Sequence, residues 1–139
     1  MSHTVIVTGA TKGLGRATAL AFAQAGHRVI GLYFVDEAAA EKLRSELQSF
    51  GGGSFVVRHN VSTENAALWS CPEIQQAESL VLINNACAPF TRSRFTCCGG
   101  KILKAADLKA SRSCSGELRR PIARAGCGTI VNAPPKALT

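Results

Sequence analysis

Over residues 1–90, short continuous apolar runs alternate with longer stretches whose apolar positions recur at helical spacing. Val5-Ile6-Val7 is the first run. A strand of a parallel sheet reads this way because helices cover both of its faces. After the glycine-rich turn from Thr8 to Gly15 comes an alanine-rich segment, Arg16 to Ala25. There Leu14, Ala17, Ala21 and Ala25 recur at helical spacing beside Leu20 and Phe22, and Gly26 ends the helix. Arg28 to Tyr33 reads as the second strand. Asp36 is placed to cap a helix from Glu37 to Phe50, with Ala40, Leu43, Leu47 and Phe50 as its apolar stripe and Gly51-Gly52-Gly53 as its stop. Ser54 to Val57 is the third strand. Ser62 or Thr63 caps a helix through Trp69, and Pro72 interrupts its continuation. Leu80 to Ile83 is the fourth strand, closed by Asn84-Asn85. The order β-α-β-α-β-α-β predicts an α/β fold with parallel strands and right-handed crossovers.

Beyond Thr91 the pattern weakens. Residues 91–101 carry charges, a Cys-Cys pair and a Gly-Gly pair without a clean period. Ile102 to Leu108 reads as a short helix, and Leu118 to Arg124 as another that needs Pro121 near its start. Gly128 to Val131 is a fifth strand. The whole chain then reads as one domain over 1–139, a parallel sheet of about five strands with flanking helices.

The turn Thr8-Gly9-Ala10-Thr11-Lys12-Gly13-Leu14-Gly15 carries the chemistry. Strand, glycine turn and helix in that order make a phosphate cradle, because the helix start directs unpaired N–H groups and the positive end of its dipole at an anion. The glycine spacing differs from G-x-G-x-x-G. With Thr8 in front it resembles the short-chain dehydrogenase/reductase family, whose cofactor motif is T-G-x-x-x-G-x-G. Further residues fit the same resemblance. Asn60-Val61 stands where the family has Asp-Val near the adenine. Asn84-Asn85-Ala86-Cys87 matches N-N-A-G with Cys87 for glycine, and Thr129 to Asn132 resembles the family's fifth strand. The likeness is specific over 1–90, patchy over 91–127 and regained over 128–132, and it implies one dinucleotide-binding domain over 1–139 with an α/β fold, an incomplete doubly wound Rossmann-type sheet.

That resemblance implies hydride transfer between a nicotinamide and a carbonyl or alcohol carbon, as in carbonyl and 3-oxoacyl reductases. It implies cofactor contacts from Gly9, Thr11, Lys12, Gly13, Leu14, Gly15, Tyr33, Asn60, Val61, Asn84 and Ala86. Asn84 and Asn85 are read as cofactor contacts rather than as strand-end caps. The family's acid at the end of the second strand, which would bind the ribose hydroxyls, is replaced by Tyr33. Lys12 stands where a basic residue meets the 2′-phosphate in NADP-type members, so NADP(H) is preferred over NAD(H), although Phe34 stands where such members often supply a second arginine. The catalytic set departs further. Tyr33 is the only tyrosine and lies too early for Tyr-x-x-x-Lys. Pro135 falls at the serine position, and the asparagine position maps near Asp107. Losing a positioned proton donor costs roughly 10²–10⁴-fold in rate, so this chain is expected to be inactive by itself. The alternative is a non-catalytic NADP(H)-binding module or a pairing partner of a complete homologue.

Charge and cysteine change the picture only in the second half. The net charge of +7 divides into six Lys/Arg against seven Asp/Glu over 1–90, and ten against two over 91–139. Five of the six cysteines lie beyond residue 86. Two explanations stay open. Codons able to write Thr96 to Leu103 can, shifted by two bases, write Leu-Leu-Arg-Trp-Glu-Asp-Phe, a family-like helix start, so a frame shift from about Thr91 to about Ala105 is one. Natural divergence or a short isoform is the other. The basic run Arg119-Arg120 with Arg124 reads as a solvated helix face, and aromatic residues for stacking bases are lacking beyond Phe95, so nucleic acid is not an expected partner. His3, His27 and His59 precede the cysteine-rich part, no C-x-x-C occurs, and no metal site is expected. Cys87 reads as a small buried replacement for glycine, His59 as a surface or strand-end histidine, and Trp69 as helix packing. No apolar run approaches the ~20 residues of a membrane helix, and no secretory signal is visible, so a cytoplasmic location and reduced thiols are expected. The family's later strands and interface helices are not expected here, which predicts marginal stability and no family-type homo-oligomer.

Overall fold

A five-stranded, all-parallel sheet organises the chain, in the order β3-β2-β1-β4-β5. In chain order the elements are β1 (Thr4–Thr8), α1 (Gly13–Gln24), β2 (Arg28–Tyr33), α2 (Glu37–Ser49), β3 (Phe55–Arg58), α3 (Ala66–Trp69), α4 (Pro72–Gln75), β4 (Leu80–Asn84), a helix α5 over 114–125, and β5 (Gly128–Asn132). The computed structural model describes residues 2–61, 66–86 and 114–132. The expected helix over Ile102–Leu108, the caps Ser62 and Thr63, and the positions Cys87, Asp107 and Pro135 lie outside the described residues.

Strand alternation sorts the apolar residues onto two faces. Val5, Val7, Val29, Val56 and Ile83 pack with Ala19 and Ala23 of α1 and Ala40, Leu43 and Leu47 of α2. Ile6, Ile30, Leu32, Leu80 and Leu82 pack with Trp69, Ile74, Cys114 and Leu118 on the other face. Helices therefore cover both faces, as the continuous apolar runs predicted. Burying side chains the size of Leu43 and Leu47, both fully enclosed, contributes about 1.5–3 kcal/mol each.

Four local readings change. The buried face of α1 is Gly15, Ala19 and Ala23, while Leu14 is 58% exposed and Ala17, Ala21 and Ala25 face outward. Alanines occur on every side of this helix, so apolar spacing does not mark its buried face. The small residues that are buried let the helix lie close on the sheet. Phe50 sits at the C-cap of α2, 42% exposed, one step beyond its stripe. The helix through Trp69 ends there as expected, and Pro72 starts the next one, because the first turn has no use for its missing N–H. Pro121 lies inside α5, buried, rather than near its start. His59 is also buried, edge-on to the Trp69 ring at 5.5 Å, and burial lowers its pKa.

The cap of α2 is as expected: Asp36 Oδ1 accepts the Ala39 N–H at 3.0 Å. The Lys12 ammonium beside Asp36, and next the Ala39 N–H, hold its carboxyl below the usual aspartate range. A depressed carboxylate stabilises the fold fully above its unfolded pKa, and that contribution is lost as pH falls through the folded value. Asp36→Asn is accordingly expected to lower the melting temperature modestly at neutral pH and to flatten the acid limb of the stability profile. Thermal unfolding between pH 2 and 7 measures both effects. An unchanged acid limb in the variant would show that other carboxylates set it.

Candidate functional site

The sheet order reverses at β1: the chain runs from β1 out to β2 and β3, then crosses back to β4 on the other side. In open α/β sheets this switch point, at the carboxyl ends of the strands, opens the crevice where ligands bind. Two turns meet there, the one after β1 and the one after β4.

Thr8 joins them. Its hydroxyl is 2% exposed as part of a buried residue, accepts the Asn85 and Ala86 N–H groups at 2.9 Å each, and donates to the Ile83 carbonyl at 3.4 Å. One donor and two lone pairs are thus all used. The Asn85 side-chain amide returns the contact, donating to the Thr8 and Gly9 carbonyls at 3.2 Å each. Ala10 N–H donates to the Leu32 carbonyl at 3.0 Å, fixing the turn to β2 as well.

The glycines leave no room beneath the turn. Gly9 has φ +64°, which side chains rarely adopt, and a Cβ there would stand 3.0 Å from Ala86 Cα. A Cβ on Gly15 would meet the Gly9 carbonyl oxygen at 2.2 Å and Asn85 Nδ2 at 2.4 Å. The first turn of α1 thus rests directly on the loop.

The two long helices begin differently. α2 has a side-chain cap and Glu37 in its first turn. α1 has neither: its N-cap Lys12 makes no side-chain cap bond, and its first turn contains no acidic residue. Its first N–H groups and dipole are left for an external anion. A dinucleotide pyrophosphate fits this arrangement: a glycine turn a Cβ would fill, at the foot of a helix start without a side-chain acceptor.

The remaining sequence-predicted residues are distributed as follows. Gly9, Thr11, Lys12, Gly13, Leu14, Gly15 and Ala86 come together around the two turns, with Lys12 and Leu14 exposed. Tyr33 is buried, and its hydroxyl donates to Glu37 at 2.5 Å; that bond, with burial, raises its pKa. Asn60 and Val61 follow β3 and are half-buried, Val61 against the second core face. Asn84 is buried and donates to Asn132 Oδ1 at 2.9 Å and Ser115 Oγ at 3.3 Å, joining β4 to β5 and α5. Its neighbour Asn85 holds the phosphate turn. The side chains of Asn84 and Asn85, read from sequence as cofactor contacts, are both bonded to protein groups, and the Thr8 hydroxyl joins the two turns without having been expected to. Among the described residues no group of three or more His, Cys, Asp or Glu converges as a metal site, and no helix is long and apolar enough to cross a membrane.

A parallel sheet with a glycine turn leading into an uncapped helix at its switch point defines a Rossmann-type dinucleotide-binding fold. Residues 3–132 match the family model described as short chain dehydrogenase, and the chain belongs to that family. It is 36% identical over 89 residues to the uncharacterized oxidoreductase YgfF of Escherichia coli K12, covering 63% of this chain and 36% of that protein. To the 3-oxoacyl-acyl-carrier-protein reductase FabG of Staphylococcus aureus Mu50 it is 35% identical over 88 residues, 62% of this chain and 36% of that one. The chain thus spans about a third of the length of these curated relatives. Among solved structures, a metagenomic short-chain oxidoreductase in complex with NADP superposes with a TM-score of 0.78 at 23% identity, covering 97% of this chain and 63% of that one, a likeness of fold. Acetoin dehydrogenase from Enterobacter cloacae superposes with a TM-score of 0.76 at 27% identity, covering 95% and 54%.

Proposed function

We propose that this chain is the cofactor-binding part of an NAD(P)(H)-dependent oxidoreductase similar to short-chain carbonyl and 3-oxoacyl reductases, with NADP(H) the favoured form. The observation that carries the reading is the junction of the two turns. Thr8 and Asn85 lock them together, and Gly15 lets the uncapped start of α1 rest on the Gly9 carbonyl. Gly9, Gly13 and Gly15 with the α1 N–H groups would hold the pyrophosphate, and Asn60, Val61 and the end of β2 would flank the adenosine. The bound nicotinamide supplies the hydride chemistry. The likeness to FabG supports the substrate class of a carbonyl compound.

By itself this chain does not complete proton transfer. Tyr33 is its only tyrosine, and the hydroxyl is bonded to Glu37 at the junction of β2 and α2. A cytoplasmic setting, where buried thiols such as Cys114 stay reduced, belongs to the same reading. Burial pushes the Cys114 thiol up to about 11, so it is not a nucleophile at neutral pH. A second reading, a pairing partner of a complete homologue, is favoured by β5, which among the described residues lies at the edge of the sheet with Ile130 and Val131 40% and 44% exposed.

Titration with NADPH and with NADH, followed by nicotinamide fluorescence and calorimetry, is expected to give saturable binding without turnover of 3-oxoacyl or simple ketone substrates. Absence of saturable binding to either nucleotide would overturn the cofactor reading. Turnover would overturn inactivity. Light scattering of a mixture with a full-length short-chain reductase tests pairing, and a mass equal to the separate components would exclude it.

A further inference from the structure

The three residues between β2 and α2, numbers 34–36, form an exposed rim: Phe34 is 49% and Val35 84% exposed. Two cations reach this rim from different parts of the chain. Lys12, from the turn after β1, forms an ion pair with Asp36. Arg58, the last residue of β3, lies opposite Tyr33 in the parallel register. Its Nε donates to the Phe34 carbonyl at 3.0 Å, and its guanidinium carbon lies 5.6 Å from the centre of the Phe34 ring.

In Rossmann-type sheets the end of the second strand reads the adenosine ribose: a carboxylate there accepts from the 2′-hydroxyl, and a nearby arginine accommodates a 2′-phosphate. The residue that ends this strand is Tyr33, not an acid. Tyr33 turns into the core with its hydroxyl on the Glu37 carboxylate, and Asp36 is engaged by Lys12 and by the Ala39 N–H. Lys12 and Arg58 bring two positive charges to a rim whose neighbouring acids, Asp36 and Glu37, are both already bonded. Resting on the cofactor reading above, we propose that Arg58 is a specificity-determining residue: with Lys12 it binds the 2′-phosphate and selects NADP(H) over NAD(H). It supplies from β3 the second cation that Phe34 does not provide from the β2 end.

The geometry suits this task. Bonding through Nε to a backbone carbonyl and lying against an aromatic ring fixes the guanidinium before a ligand arrives, which lowers the ordering cost of binding. The two terminal nitrogens form the planar fork that matches phosphate oxygens. Lys12, on a long exposed stem, exchanges its Asp36 partner for the more highly charged phosphate, while Asp36 keeps its helix cap. Selection therefore rests on charge at residues 12 and 58.

The test compares dissociation constants of NADPH and NADH for the full chain, its Arg58→Gln variant and its Arg58→Lys variant, by nicotinamide fluorescence and calorimetry. Arg58→Gln is expected to weaken NADPH roughly tenfold while leaving NADH unchanged, and Arg58→Lys to retain part of the preference. Wild-type affinity for NADPH is expected to fall more steeply with salt than affinity for NADH, a measurement that needs no variant. Equal loss for both nucleotides, an unchanged ratio, or parallel salt slopes would overturn the assignment of Arg58 while leaving cofactor binding in place. A wild-type chain that binds neither nucleotide would overturn the cofactor reading and this assignment together.

Discussion

Gly15→Ala is expected to abolish saturable nucleotide binding and to lower the unfolding free energy by roughly 1–3 kcal/mol. The added methyl would sit 2.2 Å from the Gly9 carbonyl oxygen and 2.4 Å from Asn85 Nδ2. Neither neighbour yields easily. The first is backbone held between β1 and α1, and the second is an amide bonded to both the Thr8 and Gly9 carbonyls. Relief requires α1 to move off the turn, which withdraws its N–H groups from the anion position. A displacement of about 1 Å in such a positioned group can cost on the order of 10²-fold. Gly116→Ala is the control: it lies in α5 with open space around its Cβ position, so binding should be unchanged. Urea unfolding and NADPH titration read the two effects. A Gly15→Ala protein that binds NADPH like the parent would show that the close approach of α1 is not needed for the cradle.

The sheet was legible in the sequence because its strands are buried on both faces and so appear as uninterrupted apolar runs. Val5-Ile6-Val7 and Leu80 to Ile83 can hardly be read otherwise, and the turn chemistry between them fixes parallel order. The phosphate turn was legible through its glycines. The face of α1 was not, since alanine is common to its buried and exposed sides and only contact with the sheet distinguishes Ala19 from Ala17. Nor was the division of labour between Asn84 and Asn85. Neighbouring residues at the end of a strand point to opposite sides, and which side holds the β1 turn depends on the β1–β4 pairing. Arg58 was invisible for a similar reason. Its approach to Phe34 comes from the register of β3 on β2, which no local pattern encodes. Pro121 misled by its usual role as a helix boundary, whereas α5 continues through it.

Thr8→Val is expected to destabilise the chain by roughly 2–4 kcal/mol and to weaken NADPH binding with it. Valine keeps the branched shape at a site that is 2% exposed, so the change isolates the hydroxyl from packing. Without that oxygen, the Asn85 and Ala86 N–H groups lose the acceptor they share at 2.9 Å. Each unmade bond to a buried donor costs about 1–3 kcal/mol, and partial access of water to this turn brings the pair below the full sum. The turn after β4 then loosens from the turn after β1, and the Asn85 amide loses the fixed position from which it bonds the Gly9 carbonyl. Hydrogen exchange separates this from a general loss of stability: the Asn85 and Ala86 amides should exchange faster than the β1 and β2 amides. Thr8→Ser restores the acceptor and is expected to recover most of the protection and the binding. Equal protection in the valine and parent proteins would mean that the two turns are held together by something other than the Thr8 hydroxyl.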